Sequence, residues 1–254
     1  IVLFSKLLYN INRLKNLKGI KYSMETYNDK LLKIKTTGRD DSNSDFYRFP
    51  YEPTPYSVLE RLASSGYFKK GNKLVDYGCG KGRVDFFLAY YTKCKSIGIE
   101  YDERIYNTAM ENMRTSVSSG RVTFELEDAQ EWELPLDVDR CYFFNPFSVE
   151  ILRKVFFRIK ESYYMNPREI LMFFYYPSDE YMAYLSSRDE LEFIDEIDCQ
   201  DLFEEKNRRE ERLKLEEKKK FLRELLGEKE DVVTAFRKLQ ELHNIWRETG
   251  PVAK

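Results

Sequence analysis

A single histidine stands in these 254 residues, and it is His243, close to the C-terminal end. The rest of the chain therefore offers no imidazole as general base or metal ligand. Cysteine is scarce too. Cys79, Cys94, Cys141 and Cys199 lie far apart without the paired spacing of a zinc site or a disulfide framework. Cys79 falls in a glycine-rich turn and Cys141 in an apolar run, as small buried thiols of a reduced, cytoplasmic protein would. No clustered acids suggest a metal. No apolar run is long enough to cross a membrane and no signal peptide is evident, so no membrane partner is expected. Neither sign of charge dominates: 42 Lys and Arg face 44 Asp and Glu, a net charge of −2. That balance gives no bulk attraction to nucleic acid, though it leaves room for a local basic face. There is no G-x-x-x-x-G-K-[ST] run, which excludes a P-loop.

What the chain does have is concentrated in Lys73-Leu74-Val75-Asp76-Tyr77-Gly78-Cys79-Gly80-Lys81-Gly82-Arg83-Val84. An apolar strand breaks into three alternating glycines, Gly78, Gly80 and Gly82, and then into a helix. Glycine permits φ > 0 and lets a ligand approach the backbone. The helix start beyond it offers free N–H groups. Asp76 closes the strand. A second short strand, Ser96–Glu100, ends in an acid that suits the two hydroxyls of an adenosine ribose. A dinucleotide site would show G-x-G-x-x-G, whereas the third glycine here comes one residue early. Asp76 would also repel a pyrophosphate, which disfavours a nicotinamide-dependent oxidoreductase. An acid there suits a ligand with an ammonium and a sulfonium.

The stretch from Val75 to Gly82, with Glu100 beyond it, resembles the first two motifs of class I S-adenosylmethionine-dependent methyltransferases. The resemblance spans about residues 50–200 and implies S-adenosyl-L-methionine as cofactor. It implies that Glu100 takes the ribose hydroxyls and that Asp128, followed by Ala129, receives the adenine amino group. Tyr101 is placed to cover the adenine face or to cap the core. Asp76 and the amides of the glycine loop would handle the methionine end. In Tyr51-Glu52-Pro53-Thr54-Pro55-Tyr56, Thr54 would bond the carboxylate and Tyr51 or Tyr56 would lie against the sulfonium. Thr54 also reads as a helix N-cap with Pro55 at the first helical position. The fourth strand ends Phe144-Asn145-Pro146-Phe147-Ser148. That run resembles the Asn-Pro-Pro-aromatic and Asn-Asn-Phe motifs of methyltransferases acting on nitrogen, with one residue fewer. It implies that Asn145, Pro146 and Phe147 receive the acceptor.

From Lys73 onward, short apolar strands alternate with helices. The strands are Leu74–Tyr77, Ser96–Glu100, Val122–Leu126, Cys141–Asn145, Ile170–Tyr175 and Glu192–Ile197. Most are continuous apolar runs, as in sheets covered on both faces. This is the pattern of an α/β fold, a doubly wound, mostly parallel, Rossmann-like sheet. Three segments are expected. Residues 1–50 form an N-terminal helical or irregular cap, 51–200 the cofactor-binding domain and 201–254 a charged helical tail. The apolar start Ile1-Val2-Leu3-Phe4 reads as one face of an amphipathic helix. The family's sheet usually closes with an antiparallel seventh strand, and none follows Leu202. Instead, residues 201–230 are about two-thirds charged, with Glu-to-Lys and Glu-to-Arg pairs at i,i+4 that favour helix. Val232, Phe236, Leu239, Leu242 and Trp246 form the apolar face of a second helix. The last fifty or so residues resemble part of a repeated bacterial helical domain of unknown function, which implies either a joined fragment or a native extension.

Taken together, the readings point to N-methylation of a protein lysine or another amine. A nucleic-acid base such as one in RNA, or a small molecule, stands as the alternative acceptor. A non-catalytic cofactor-binding scaffold is the rival of another class. Self-association through the tail helices would satisfy their apolar stripe.

Overall fold

The computed structural model describes residues 2–8, 24–42 and 44–199. The strands are β1 (Val2–Leu8), β2 (Lys73–Tyr77), β3 (Lys95–Glu100), β4 (Val122–Leu126), β5 (Arg140–Phe143), β6 (Ile170–Tyr175) and β7 (Leu191–Asp198). The helices are α1 (Met24–Leu32), α2 (Tyr56–Ser64), α3 (Arg83–Tyr91), α4 (Glu103–Thr115), α5 (Val149–Met165) and α6 (Asp179–Ser186). The strands form one sheet in the order β4-β3-β2-β5-β6-β1-β7, parallel at every pairing.

Apolar runs become central strands because parallel strands are buried on both faces. β6 is buried along its whole length and β2 along all but its first residue. One face carries a cross-strand ladder of rings. Tyr77 stacks on Phe143 at 4.9 Å, and Phe143 stacks on Phe174 at 4.7 Å. Lateral register puts these three side by side across β2, β5 and β6. Such stacked aromatic pairs stabilise the register beyond the area they bury.

The first turn of α4 shows why a helix begins at the end of β3. Asp102 caps it, its carboxylate accepting from the N–H groups of Arg104 at 2.9 Å and Ile105 at 3.2 Å. α2 differs from the sequence reading by one residue. Pro55 is the N-cap, with extended backbone, and Tyr56 is the first helical residue. Thr54 does not cap it, because its hydroxyl is bonded to the Tyr142 hydroxyl at 2.9 Å.

The larger correction lies at the start of the chain. Val2–Leu8 is a strand and not a helix face. It pairs with β6 from Val2↔Ile170 to Leu7↔Tyr175 and with β7 from Val2↔Leu191 to Leu8↔Asp198. It fills the place in the sheet where an antiparallel closing strand was sought after Leu202. A short continuous apolar run fits a two-sided buried strand as well as a helix, and periodicity alone does not separate them. The helical tail expected at 201–254, with its two helices and its self-association, lies outside the described residues.

Candidate cofactor and acceptor site

Strand order reverses beside β2, whose neighbours are β3 on one side and β5 on the other. In open α/β sheets a ligand crevice forms at the carboxyl ends of the strands at such a point. The cleft lies there, with about 930 Å³ between its walls, open solvent included. Asp76, Gly78, Glu100, Tyr101, Asp128, Ala129, Tyr51, Thr54, Pro146 and Phe147 all line it. Residues read from five separate stretches of sequence therefore meet at one place.

The glycine turn has the backbone that the sequence demanded. Gly78, Gly80 and Gly82 have φ of 71°, 60° and 82°. The reason for glycine, however, is packing within the protein as much as ligand approach. A Cβ on Gly80 would lie 2.2 Å from the Tyr51 ring, and one on Gly78 would lie 2.4 Å from Pro146 Cβ. The loop amides are also less free than expected. Gly78 and Cys79 N–H both donate to the Ile99 carbonyl, at 2.9 and 3.0 Å, and Gly80 N–H donates to Glu100 at 2.9 Å. These bonds fix the loop to the end of β3.

Glu100 is 6% exposed. One carboxylate oxygen accepts from Gly80 N–H and the other from Asp102 N–H at 2.9 Å. Burial pushes its pKa up to about 7 against those two backbone donors, which favour the anion. Each oxygen keeps a lone pair for a ligand hydroxyl.

Asp76 is fully enclosed, and burial raises its pKa well above the usual carboxylate range, with the Asp85 and Glu100 charges adding to the rise. It faces Asp85, on the first turn of α3. Asp85 Oδ1 accepts from Ser96 Oγ at 2.6 Å, while Oδ2 has no donor among the other groups described. Burial brings Asp85 up to about 7. The two carboxyls lie close together under the loop, where burial favours the protonated form of each.

On the adenine side, Tyr101 is 38% exposed and lies beneath Arg48, 4.7 Å from guanidinium carbon to ring centre. Arg48 Nη2 also donates to Asp128 at 2.6 Å. Asp128 accepts further bonds from Gln130 N–H and Gln130 Nε2, at 3.1 and 2.8 Å. Burial acts to raise its pKa, but the bonds from Gln130 and Arg48 outweigh that and hold it below the usual range. The carboxylate expected to receive an adenine amino group is thus already engaged.

Of the two tyrosines, Tyr51 lies over the glycine loop, its hydroxyl donating to the Thr36 carbonyl at 2.7 Å. Tyr56 is fully buried, does not line the cleft, and lies against Arg83 instead. Thr54 lines the cleft, but its hydroxyl is shared with Tyr142.

Asn145 departs most from expectation. Its backbone has φ 40°, a left-handed conformation that asparagine tolerates. Its side chain does not line the cleft. The amide nitrogen donates to the Tyr176 carbonyl, and the amide oxygen accepts from Ser178 N–H at 3.2 Å. It clamps the turn after β6 to the turn after β5. Pro146 and Phe147 do line the cleft, held from above by residues 47–49. Phe49 N–H donates to the Pro146 carbonyl at 3.2 Å, and Ser148 N–H donates to the Tyr47 carbonyl at 2.8 Å.

Sequence reading missed Arg48, Arg83, Asp85 and Tyr142. A usable signal existed for two of them, since Arg83 and Asp85 are charges on the buried start of an otherwise apolar helix. Arg48 and Tyr142 reach the cleft by contacts 80 to 88 residues away in sequence. Among the described residues, no cluster of three or more His, Cys, Asp or Glu could hold a metal ion. None of their helices is long and apolar enough to cross a membrane.

The parallel sheet, the glycine turn at its switch point and the acid at the next strand end define a Rossmann-like domain for an adenosine-type cofactor. Residues 68–168 match the family model of a methyltransferase domain. A protein-lysine N-methyltransferase of Saccharolobus islandicus is 28% identical over 75 residues, covering 29% of this chain and 47% of that protein. The chain therefore spans about half the length of that curated relative. Among solved structures, an RNA methyltransferase from Salinibacter ruber with S-adenosyl-L-homocysteine is 24% identical at a TM-score of 0.35, covering 37% of this chain and 60% of that one. A SAM-dependent methyltransferase from Thiobacillus denitrificans with the same ligand is 20% identical at a TM-score of 0.40, covering 47% and 48%. The residues present fit the cofactor: Glu100 retains acceptor capacity for hydroxyls, Tyr101 presents a ring face, and Gly78 of the glycine turn lines the cleft with them.

Proposed function

We propose that the chain is an S-adenosylmethionine-dependent methyltransferase that acts on nitrogen, with a protein lysine side chain as acceptor. One observation carries this reading. Gly78 of the glycine turn and Glu100 share a single cleft with Pro146 and Phe147, so cofactor and acceptor elements meet. When bound, S-adenosylmethionine supplies an electrophilic methyl group on a sulfonium. Glu100 orients the ribose and Tyr101 the base. Pro146 and Phe147 wall the path along which a neutral amine lines up for displacement. Such in-line transfer needs mainly alignment. The amine nitrogen uses its lone pair to form the new N–C bond, the sulfur keeps the electrons of the broken bond, and the resulting ammonium loses its proton to water. The accessible rim supports an amine over a nucleic acid. Asp40, Glu52, Glu127 and Asp128 line the cleft against the half-buried Arg48 and the buried Arg83, an acidic excess that attracts a cationic side chain. The lysine methyltransferase relative agrees with that choice.

The test has two stages. Calorimetry should show binding of S-adenosylhomocysteine and none of NAD; the reverse would end this reading. Transfer of labelled methyl from S-adenosylmethionine should then go to lysine in protein fractions of a cell extract. Label in RNA only would make a base the acceptor, and cofactor binding without transfer to any fraction would favour a scaffold.

Asn145→Ala is expected to lower turnover about tenfold while leaving S-adenosylhomocysteine affinity within about twofold. Its two side-chain bonds hold the turn that carries Pro146 and Phe147, so the variant misplaces the acceptor and not the cofactor. Steady-state rates and calorimetry on one preparation decide it. A parallel fall in both would show that the clamp supports the cofactor pocket as well.

A further inference from the structure

Apart from the cofactor cleft, a groove of about 1070 Å³, open solvent included, is walled by residues of α5, α6 and the turn after α6. Val149, Arg153, Glu180, Tyr184, Ser187 and Arg188 line it. Tyr184 is half-buried, and its ring meets Phe156 edge-on at 6.1 Å between centres. Two guanidinium groups converge on that ring. The central carbon of Arg153 lies 5.4 Å from the ring centre and that of Arg188 lies 5.1 Å from it. The ring attracts each cation, but the two cations repel one another.

Nearby cations are neutralised. Lys160 pairs with Glu190 at 2.5 Å and Arg158 with Glu161 at 3.2 Å. Among the described residues, neither Arg153 nor Arg188 has a carboxylate in ion-pair contact. Glu150 and Glu190 feel their charge only at longer range. Arg188 donates to the neutral Ser187 Oγ, at 3.3 and 3.1 Å, and Arg153 is exposed. A carboxylate entering here would relieve the repulsion and take charge-assisted hydrogen bonds from both.

The groove adjoins the acceptor end of the cleft. Ile151 lines the cleft, while Val149 and Arg153 on the same helix line the groove. Tyr181 of α6 donates its hydroxyl to the Phe147 carbonyl at 2.6 Å. The Asn145 clamp ties together the turns that lead into the two helices.

We propose that this groove docks an acidic segment of the protein acceptor, with Arg153 and Arg188 bonding its Asp or Glu carboxylates, a role that rests on the protein-amine reading above. Opposite charges are then divided between neighbouring sites: the acid-lined cleft takes the lysine and the groove takes the acids beside it. Such complementarity selects partner and register. Arg153 lies about 7 Å along α5 from its N-cap, and α6 ends about 12 Å from its own. An extended segment covers those spans in about two to four residues, which sets the spacing of acid from lysine. A nucleic-acid strand suits the surface less well. Its phosphates would pass Asp179 and Glu180 on the first turn of α6, and the acids of the cleft.

The test uses two labelled peptides on the full chain with S-adenosylhomocysteine present. Each has one central lysine among glycine and serine residues. One carries glutamates about two to four residues to either side of the lysine, and the other carries glutamines there. By fluorescence anisotropy the glutamate peptide should bind at least about tenfold more tightly. In the double variant Arg153→Ala, Arg188→Ala that advantage should fall below about twofold, with S-adenosylhomocysteine affinity unchanged. Equal binding of the two peptides by the wild-type chain, or a preference that survives the double variant, would overturn the proposal. So would a uridine oligonucleotide that binds more tightly than the glutamate peptide and is lost in the same variant. Should the double variant fail to fold, Arg153→Gln and Arg188→Gln taken singly should each reduce the preference about threefold, and no reduction in either would overturn it. Labelled methyl transfer separates this proposal from the reading it rests on. A binding preference without methyl on the lysine would count against the amine acceptor and still support the groove. Equal binding with equal methylation of both peptides would support the amine and overturn the groove.

Discussion

Gly80→Val should abolish binding of S-adenosylhomocysteine, and the fault should begin inside the protein. The residue has φ 60°, a region that β-branched residues avoid. Its missing Cβ would lie 2.2 Å from two ring atoms of Tyr51. Tyr51 is not free to yield. Its backbone pairs with Asp40, and its hydroxyl is bonded to the Thr36 carbonyl. The strain of such a conformation alone is about 1–3 kcal/mol. The overlap adds to it, so the loop must move, and Gly80 N–H leaves Glu100. An affinity loss of about a hundredfold or more follows, beyond the reach of ordinary calorimetry. Gly80→Ala should be a milder version of the same fault. Circular dichroism should show the sheet retained, since the loop lies at its edge. A Kd for Gly80→Val close to that of the wild type would remove the glycine turn from the cofactor site.

Glu100 should make cofactor affinity depend on pH. Burial holds its pKa at about 7 in the empty chain, above its ordinary 4.5. The sign follows from linkage. A carboxyl with a raised folded pKa is more protonated in the fold than in the unfolded chain. Its effect is a loss of stability as pH climbs from 4.5 to about 7, on the order of 3 kcal/mol for the whole window. Ribose hydroxyls donate to the anion, so binding favours the deprotonated form. Affinity for S-adenosylhomocysteine should then rise about tenfold from pH 6 to pH 8, with proton release on binding. Glu100→Gln should flatten that profile. Glu100→Ala should cost about 1.5–3 kcal/mol of affinity at pH 8. Asp85 also sits at about 7. A pH slope that survives in Glu100→Gln would therefore assign the titration to Asp85 and separate Glu100 from the ribose.

The legible parts of this molecule are those written locally. β2, its glycine turn and the acid ending β3 fall within 28 consecutive residues, and positive φ with close packing requires glycine at Gly78 and Gly80. Apolar runs announced β2, β3, β5 and β6, which are buried along nearly their whole length. β1 escaped because a run of seven residues, Val2–Leu8, carries no period that separates strand from helix. The site was legible in its members and not in their bonds. Asp128, Thr54 and Asn145 are where the motifs put them, yet their side chains serve Arg48, Tyr142 and the turn at Tyr176. Those partners are distant in sequence, and nothing in a motif records how a hydrogen-bonding group is spent. Arg83 shows the opposite case. A charge among Val84, Phe86, Phe87 and Leu88 is a local anomaly, and the fold accounts for it.

The place of β1 in the sheet also governs the order in which the molecule is completed. Residues 2–8 leave the ribosome long before Ile170–Tyr175 and Leu191–Asp198, the two strands they lie between. Until those partners exist, the early segment has nowhere to dock, and its apolar run waits exposed to chaperones and to other nascent chains. Among the described strands, β7 touches the sheet through β1 alone. The cofactor half, β2 to β5, is built from near neighbours and closes first. The far half closes last, across the longest sequence separation in the sheet, and that step should set the pace of folding.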